Sequence, residues 1–125
     1  MTHMDPLEFR LTSAHLTDDL YVVTLAGELD LANVEDIDRE LGLLEREGAG
    51  RMIVDLLEVP FIESRTLGVL LRYARKLRIE GGDMTIVTDD HRVLRVIEIT
   101  GLSSHFTIEP SLAVAIDKAL AEVPS

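Results

Sequence analysis

Ile53-Val54-Asp55-Leu56-Leu57-Glu58-Val59-Pro60-Phe61-Ile62-Glu63-Ser64-Arg65-Thr66-Leu67-Gly68-Val69-Leu70-Leu71 holds a strand, a loop and the start of a helix in direct succession. Met52-Ile53-Val54 leads into Asp55-Leu56-Leu57 without alternating polar residues, as in a strand covered on both faces. Pro60 marks the loop. Leu67, Leu70, Leu71, Ala74 and Leu77 share a helical face, so a helix starts near Ser64 and ends at Gly81-Gly82. A serine at a helix start is ordinarily an N-cap.

The pattern continues on both sides. Toward the N-terminus, Leu7 to Leu11 reads as an edge strand and Thr17-Asp18-Asp19 as a turn. Tyr21 to Ala26 reads as a second strand, paired with the first as a hairpin and ended by Gly27. Asn33 is expected to cap a first helix, with Glu35 and Asp36 in its first turn. That helix carries Val34, Ile37, Leu41 and Leu44 and stops at Gly48-Ala49-Gly50.

Toward the C-terminus, Met84 to Thr88 reads as a strand, and Val93, Leu94 and Ile97 mark a third helix before Gly101. Phe106 to Ile108 is a short strand. Pro110 or Ser111 opens a last helix bearing Leu112, Ala115, Ile116, Ala119 and Leu120. The order β-β-α-β-α-β-α-β-α implies one α/β domain spanning 1–125, with its core over about 7–120. Its expected architecture is a mixed, mainly parallel sheet flanked by about four helices.

Composition narrows the function classes. The net charge is −11, which repels nucleic acid and anionic lipid, so neither is an expected partner. No apolar run approaches a membrane span, and Met1 to Pro6 lacks the pattern of a secretory signal. The absence of cysteine suits a reducing compartment, and a cytoplasmic location is expected.

The chemistry of an enzyme is not apparent. Gly81-Gly82 lacks the Lys-Ser or Lys-Thr of a phosphate-binding loop. His3, His15, His91 and His105 are too scattered for a zinc site, and no metal or cofactor is expected. Asp55 can be read as a carboxylate at the ligand-binding end of a parallel strand or as the cap of a loop. Asp89 or Asp90 reads as the cap of the third helix, with His91 in its first turn. A Ser64-His91-Asp55 triad lacks the Gly-x-Ser-x-Gly elbow, so no enzymatic activity is expected.

The stretch around Ser64 resembles the signature of the STAS domain, Asp-Leu-x-x-Val-x-Phe-Ile-Asp-Ser-Ser-Gly-Leu-Gly-Val-Leu. Asp55-Leu56, Val59, Phe61-Ile62, Ser64 and Leu67-Gly68-Val69-Leu70 match it. Gly27-Glu28-Leu29-Asp30 followed by Asn33, Gly81-Gly82 before a strand, and Leu94 through Thr100-Gly101-Leu102 to Phe106 extend the resemblance to residues 7–120. Glu63 stands where the family usually has Asp, Arg65 where a second Ser or Thr is common, and Thr66 where Gly is common.

The anti-sigma-factor antagonists of this family imply a phosphorylation switch at Ser64. In that branch the unmodified antagonist binds an anti-sigma factor with serine kinase activity and so frees a sigma factor. Phosphorylation ends the binding, and a serine phosphatase restores it. The expected partner surface is Glu63, Ser64 and Arg65, together with Val69, Arg72 and Lys76. Helical spacing puts Arg65, Val69, Arg72 and Lys76 on one basic stripe, expected to face outward, either toward an acidic or mixed partner or as a solvated helix face. The rival readings are a STAS scaffold subunit of a stress-sensing or lipid-transport assembly, and a nucleotide-binding domain.

Overall fold

In the computed structural model, which describes residues 8–122, β1 (Arg10–Thr17) and β2 (Leu20–Ala26) form an antiparallel hairpin. A helix then follows each strand. The elements are α1 (Leu31–Arg46), β3 (Arg51–Glu58), α2 (Ser64–Ile79), β4 (Asp83–Val87), α3 (His91–Ile99), a 3-10 turn at Ser103–His105, β5 (Thr107–Glu109) and α4 (Leu112–Ala121).

The strands lie side by side in chain order, β1-β2-β3-β4-β5, and β2 to β5 are parallel. Each crossover therefore steps one strand in the same direction. Right-handed crossovers of that kind place α1, α2 and α3 on one face. α4 is not a crossover and covers the other face. The mixed, mainly parallel sheet expected from the sequence is thus present.

Strand alternation sorts the core onto the two faces. Val23, Leu25, Met52, Val54, Leu56, Met84 and Ile86 point toward α1, α2 and α3. There they meet Ile37, Leu41, Leu67, Leu70, Leu77, Val93 and Ile97. Leu20, Val22, Ile53 and Val87 point the other way, onto Ala115 and its neighbours on α4. β3 is buried on both sides, which is why its sequence does not alternate. Where β3 and β4 begin, the chain comes so close to itself that a Cβ at Gly82 would lie 1.7 Å from the Gly50 carbonyl oxygen.

Several boundaries differ from the expectation. The first strand runs over Arg10–Thr17 instead of 7–11, and Leu7 lies outside the described residues. Thr12 to Leu16 are exposed, so this edge strand has no apolar alternation to betray it. The cap of α1 is Asp30, whose Oδ1 accepts the Ala32 and Asn33 amides at 3.0 and 3.2 Å. Asn33 sits inside the helix and donates its side-chain amide to the Glu28 carbonyl at 3.0 Å. Glu35 and Asp36 accordingly fall beyond the first turn.

Candidate functional site

The site forms where β3 gives way to α2. Thr24 pairs with Asp55 and Ala26 with Glu58, so β3 holds an extra residue there and bulges. Asp55 is 8% exposed, and its Oδ1 accepts the Leu57 amide at 2.9 Å. Of its two readings, the structure supports the loop cap: the carboxylate ties the bulge. The Gly27 amide donates to the Glu58 carbonyl at 2.9 Å and joins this loop to the one after β2.

The loop is then pinned from below. Val59 and Ile62 are buried, which leaves Phe61 between them 52% exposed. Ile62 precedes the cap residue, and Leu67 lies four residues inside the helix. Both belong to the same core cluster, the arrangement of a hydrophobic staple that sets the chain's entry angle.

Glu63 occupies the cap position with extended backbone (φ −89°, ψ 157°), yet its side chain makes no cap hydrogen bond. Ser64 is therefore the first helical residue and not the N-cap that its residue type suggested. It is exposed. The other α-helices are capped by Asp30, Asp90 and Ser111. Among the described α-helices, α2 alone offers its first-turn N–H groups no side-chain acceptor. An uncapped helix start is chemically disposed to receive an anion.

Two residues further on, Thr66 is completely buried, and its hydroxyl has no hydrogen-bond partner among the described residues. The Thr66 side chain is thus enclosed by the fold. Arg65 is exposed and takes part in no ion pair among the described residues.

The outward stripe needs correction. Val69 is buried against the core, so it does not share a solvent face with Arg65. The exposed positions are Ser64, Arg65, Gly68, Arg72, Arg75, Lys76, Arg78 and Ile79. Nor are Arg72 and Lys76 free cations. Arg72 pairs with Asp38 and Lys76 with Glu45, both on α1, the latter at 3.4 Å. Their charged ends also lie 5.2 and 5.6 Å from the centre of the Tyr73 ring, whose hydroxyl donates to Asp38 Oδ1 at 2.7 Å. The expected basic stripe is largely a clamp between α1 and α2.

The clamp has a pH signature. Hydrogen bonds from Arg72 and then Tyr73 hold the Asp38 carboxyl below its ordinary pKa. A depressed folded pKa gives stability above the unfolded value, and that stability is lost as pH falls through the folded one. Asp38 is partly exposed, so screening keeps the effect modest. Asp38→Asn is expected to lower the melting temperature at pH 7 by about 1–4 °C. The gap to wild type should close below about pH 4. Thermal unfolding at pH 7 and pH 3 checks this.

The remaining candidates have structural employment. Asp90 caps α3 through the Arg92 amide at 2.8 Å, and His91 follows, exposed, in the first turn, as expected. The hydrogen bond from the Arg92 side chain brings the Asp90 pKa down to about 2. Beside the loop, a cleft of about 370 Å³ is lined by Arg10, Leu57, Glu58, Val59, Pro60, Asp90 and Arg92. Its guanidinium groups already face carboxylates, Arg10 on Glu58 at 3.6 Å and Arg92 on Asp90 at 2.8 Å. His3 lies outside the described residues. Among the described residues no three His, Asp or Glu side chains gather as a metal requires. No described helix is long and apolar enough to cross a membrane.

The chain has clear relatives. The STAS domain family matches residues 12–115. The anti-sigma-B factor antagonist of Staphylococcus epidermidis is 31% identical over 85 residues, covering 68% of this chain and 79% of that protein. The anti-sigma factor antagonist SpoIIAA in its unphosphorylated form superposes with a TM-score of 0.78 at 25% identity, over 94% of this chain and 100% of that one. The phosphorylated form of the Bacillus cell fate determinant SpoIIAA gives 0.70 at 25% identity, over 90% and 99%. The chain belongs to the STAS domain family and is similar to its anti-sigma factor antagonists.

Proposed function

We propose that this chain is an anti-sigma-factor antagonist switched by phosphorylation of Ser64. Unmodified, it holds an anti-sigma factor with serine kinase activity and so frees a sigma factor. The kinase transfers the γ-phosphoryl group of ATP to the Ser64 hydroxyl oxygen. ADP leaves, and the hydroxyl proton passes to a base of the kinase. The phosphorylated chain lets go, and a serine phosphatase hydrolyses the ester to restore it. The chain acts in the cytoplasm, by binding and without catalysis of its own.

The observation that carries this reading is an exposed Ser64 as the first residue of an α-helix with no side-chain cap. The adjacent positions offer no rival acceptor, which supports Ser64: Arg65 supplies no hydroxyl, and the Thr66 hydroxyl is buried. A phosphate brings about −1.5 to −2 charges. The helix start tolerates it in the free protein. Leu67 and Gly68, one turn on, supply no cation, and the single positive charge of Arg65 beside Ser64 leaves part of the phosphate charge unmatched. A partner packed over Ser64 must desolvate that charge, and this loosens the complex.

The test is affinity purification from the native host with wild type and Ser64→Ala, combined with phosphopeptide mass spectrometry. Capture of an anti-sigma kinase, and phosphate on Ser64, support the reading. Phosphate found only at the exposed Ser103 or Ser104 overturns it.

A further inference from the structure

Nothing among the described residues explains Gly68. The sequence contains eight glycines, and each of the other seven has a local cause. Gly27, Gly48, Gly81 and Gly101 adopt positive φ. A Cβ on Gly42 would press on the Tyr73 hydroxyl at 3.0 Å, one on Gly50 would meet Asp19 at 2.5 Å, and one on Gly82 would strike the Gly50 carbonyl. Gly68 lies in the interior of α2 with ordinary helical backbone, and a Cβ there would meet nothing within 4 Å. Glycine at an exposed interior helix position is disfavoured relative to alanine, so the fold would be better served by a side chain.

Its position suggests what uses the gap. Gly68 is four residues after Ser64, hence on the same helical face one turn along. Phe61, 52% exposed, stands before Ser64 in the loop, and Arg65, without an ion pair among the described residues, lies beside it. Any side chain at position 68 would rise about 5–6 Å from that of Ser64. A kinase must bring its phosphoryl donor to within about 3–3.5 Å of the Ser64 oxygen. A projecting neighbour would hold the partner's surface away from it.

We propose that Gly68 is the close-approach point for the anti-sigma kinase, a notch through which the partner packs against the α2 backbone and reaches Ser64. The notch rests on the reading that Ser64 is the kinase's acceptor. Its occupant presents a small or apolar surface over Gly68 and an acidic group toward Arg65, the complement of the exposed charge on this chain.

The experiment uses the anti-sigma-type serine kinases encoded in the host genome, each purified, against wild type, Gly68→Ala, Gly68→Gln and Ser64→Glu. Calorimetry reads binding, and labelled ATP reads the kcat/KM of Ser64 phosphorylation. Both Gly68 variants should melt about 2–5 °C higher than wild type, as better helix formers. Gly68→Gln should bind at least about tenfold more weakly and be phosphorylated correspondingly more slowly, with Gly68→Ala between it and wild type. A lower melting temperature for Gly68→Ala would reveal an internal packing role and overturn the notch. If a kinase binds wild type and not Ser64→Glu, yet engages Gly68→Gln as well as wild type, the switch stands and the notch falls. If no kinase in the set engages wild type, the switch falls and the notch with it.

Discussion

Replacing Ser64 by glutamate is expected to weaken capture of the anti-sigma partner by about 100-fold or more, on the scale of an uncompensated charge in a desolvated contact. The fold should not suffer. An acidic side chain in the first turn of a helix contributes about 0.3–1 kcal/mol of stability. Glu63 leaves the first-turn N–H groups of α2 without a side-chain acceptor, so the new carboxylate has groups to meet. The melting temperature should therefore hold or rise slightly while binding collapses. Titration calorimetry with the purified partner and circular dichroism of the free protein give the two readings. Undiminished binding would remove Ser64 from the interface, and a loss of helical signal would show that Ser64 has a packing role.

Truncating Leu70 to alanine is expected to destabilise the protein by about 2–5 kcal/mol, the combined cost of lost burial and the cavity left behind. Leu70 is fully buried on the face of α2 that meets the sheet. In a domain of this size that corresponds to a fall in melting temperature of about 8–20 °C. Ile79→Ala, at the far end of the same helix, is the control. Ile79 is 86% exposed, so its truncation should stay within about 0.5 kcal/mol of wild type. Chemical denaturation of both variants checks the contrast. Similar losses in the two would mean that burial against the sheet does not set the stability of α2, since alanine is the better helix former at both positions.

Much of the architecture was legible before folding was considered. The unalternating run through Ile53 and Val54 announced a strand buried on both faces, and β3 is that strand. The leucine spacing after Ser64 put the start of α2 near that residue, and the helix begins there with Glu63 in the cap position. The first strand was misplaced because Thr12 to Leu16 are exposed and carry no apolar rhythm. Asn33 is a good cap by residue type, but the helix begins three residues earlier, where Asp30 accepts the Ala32 and Asn33 amides.

Local pattern determined the order of elements, the parallel sheet and the presence of a serine at the mouth of α2. Periodicity, glycine breaks and side-chain volume act over a few residues and survive without a tertiary context. Which way α2 faces was decided by packing. The helix lies against both the sheet and α1, so its buried arc is wide enough to take in Val69, and Gly68 is turned outward with Ser64. The fate of Arg72 and Lys76 was decided likewise. Their partners, Asp38 and Glu45, stand more than thirty residues away in sequence and come within reach only when α1 docks beside α2. A basic stripe read from spacing alone became an interhelical clamp, because spacing along one helix carries no information about the charges on its neighbour.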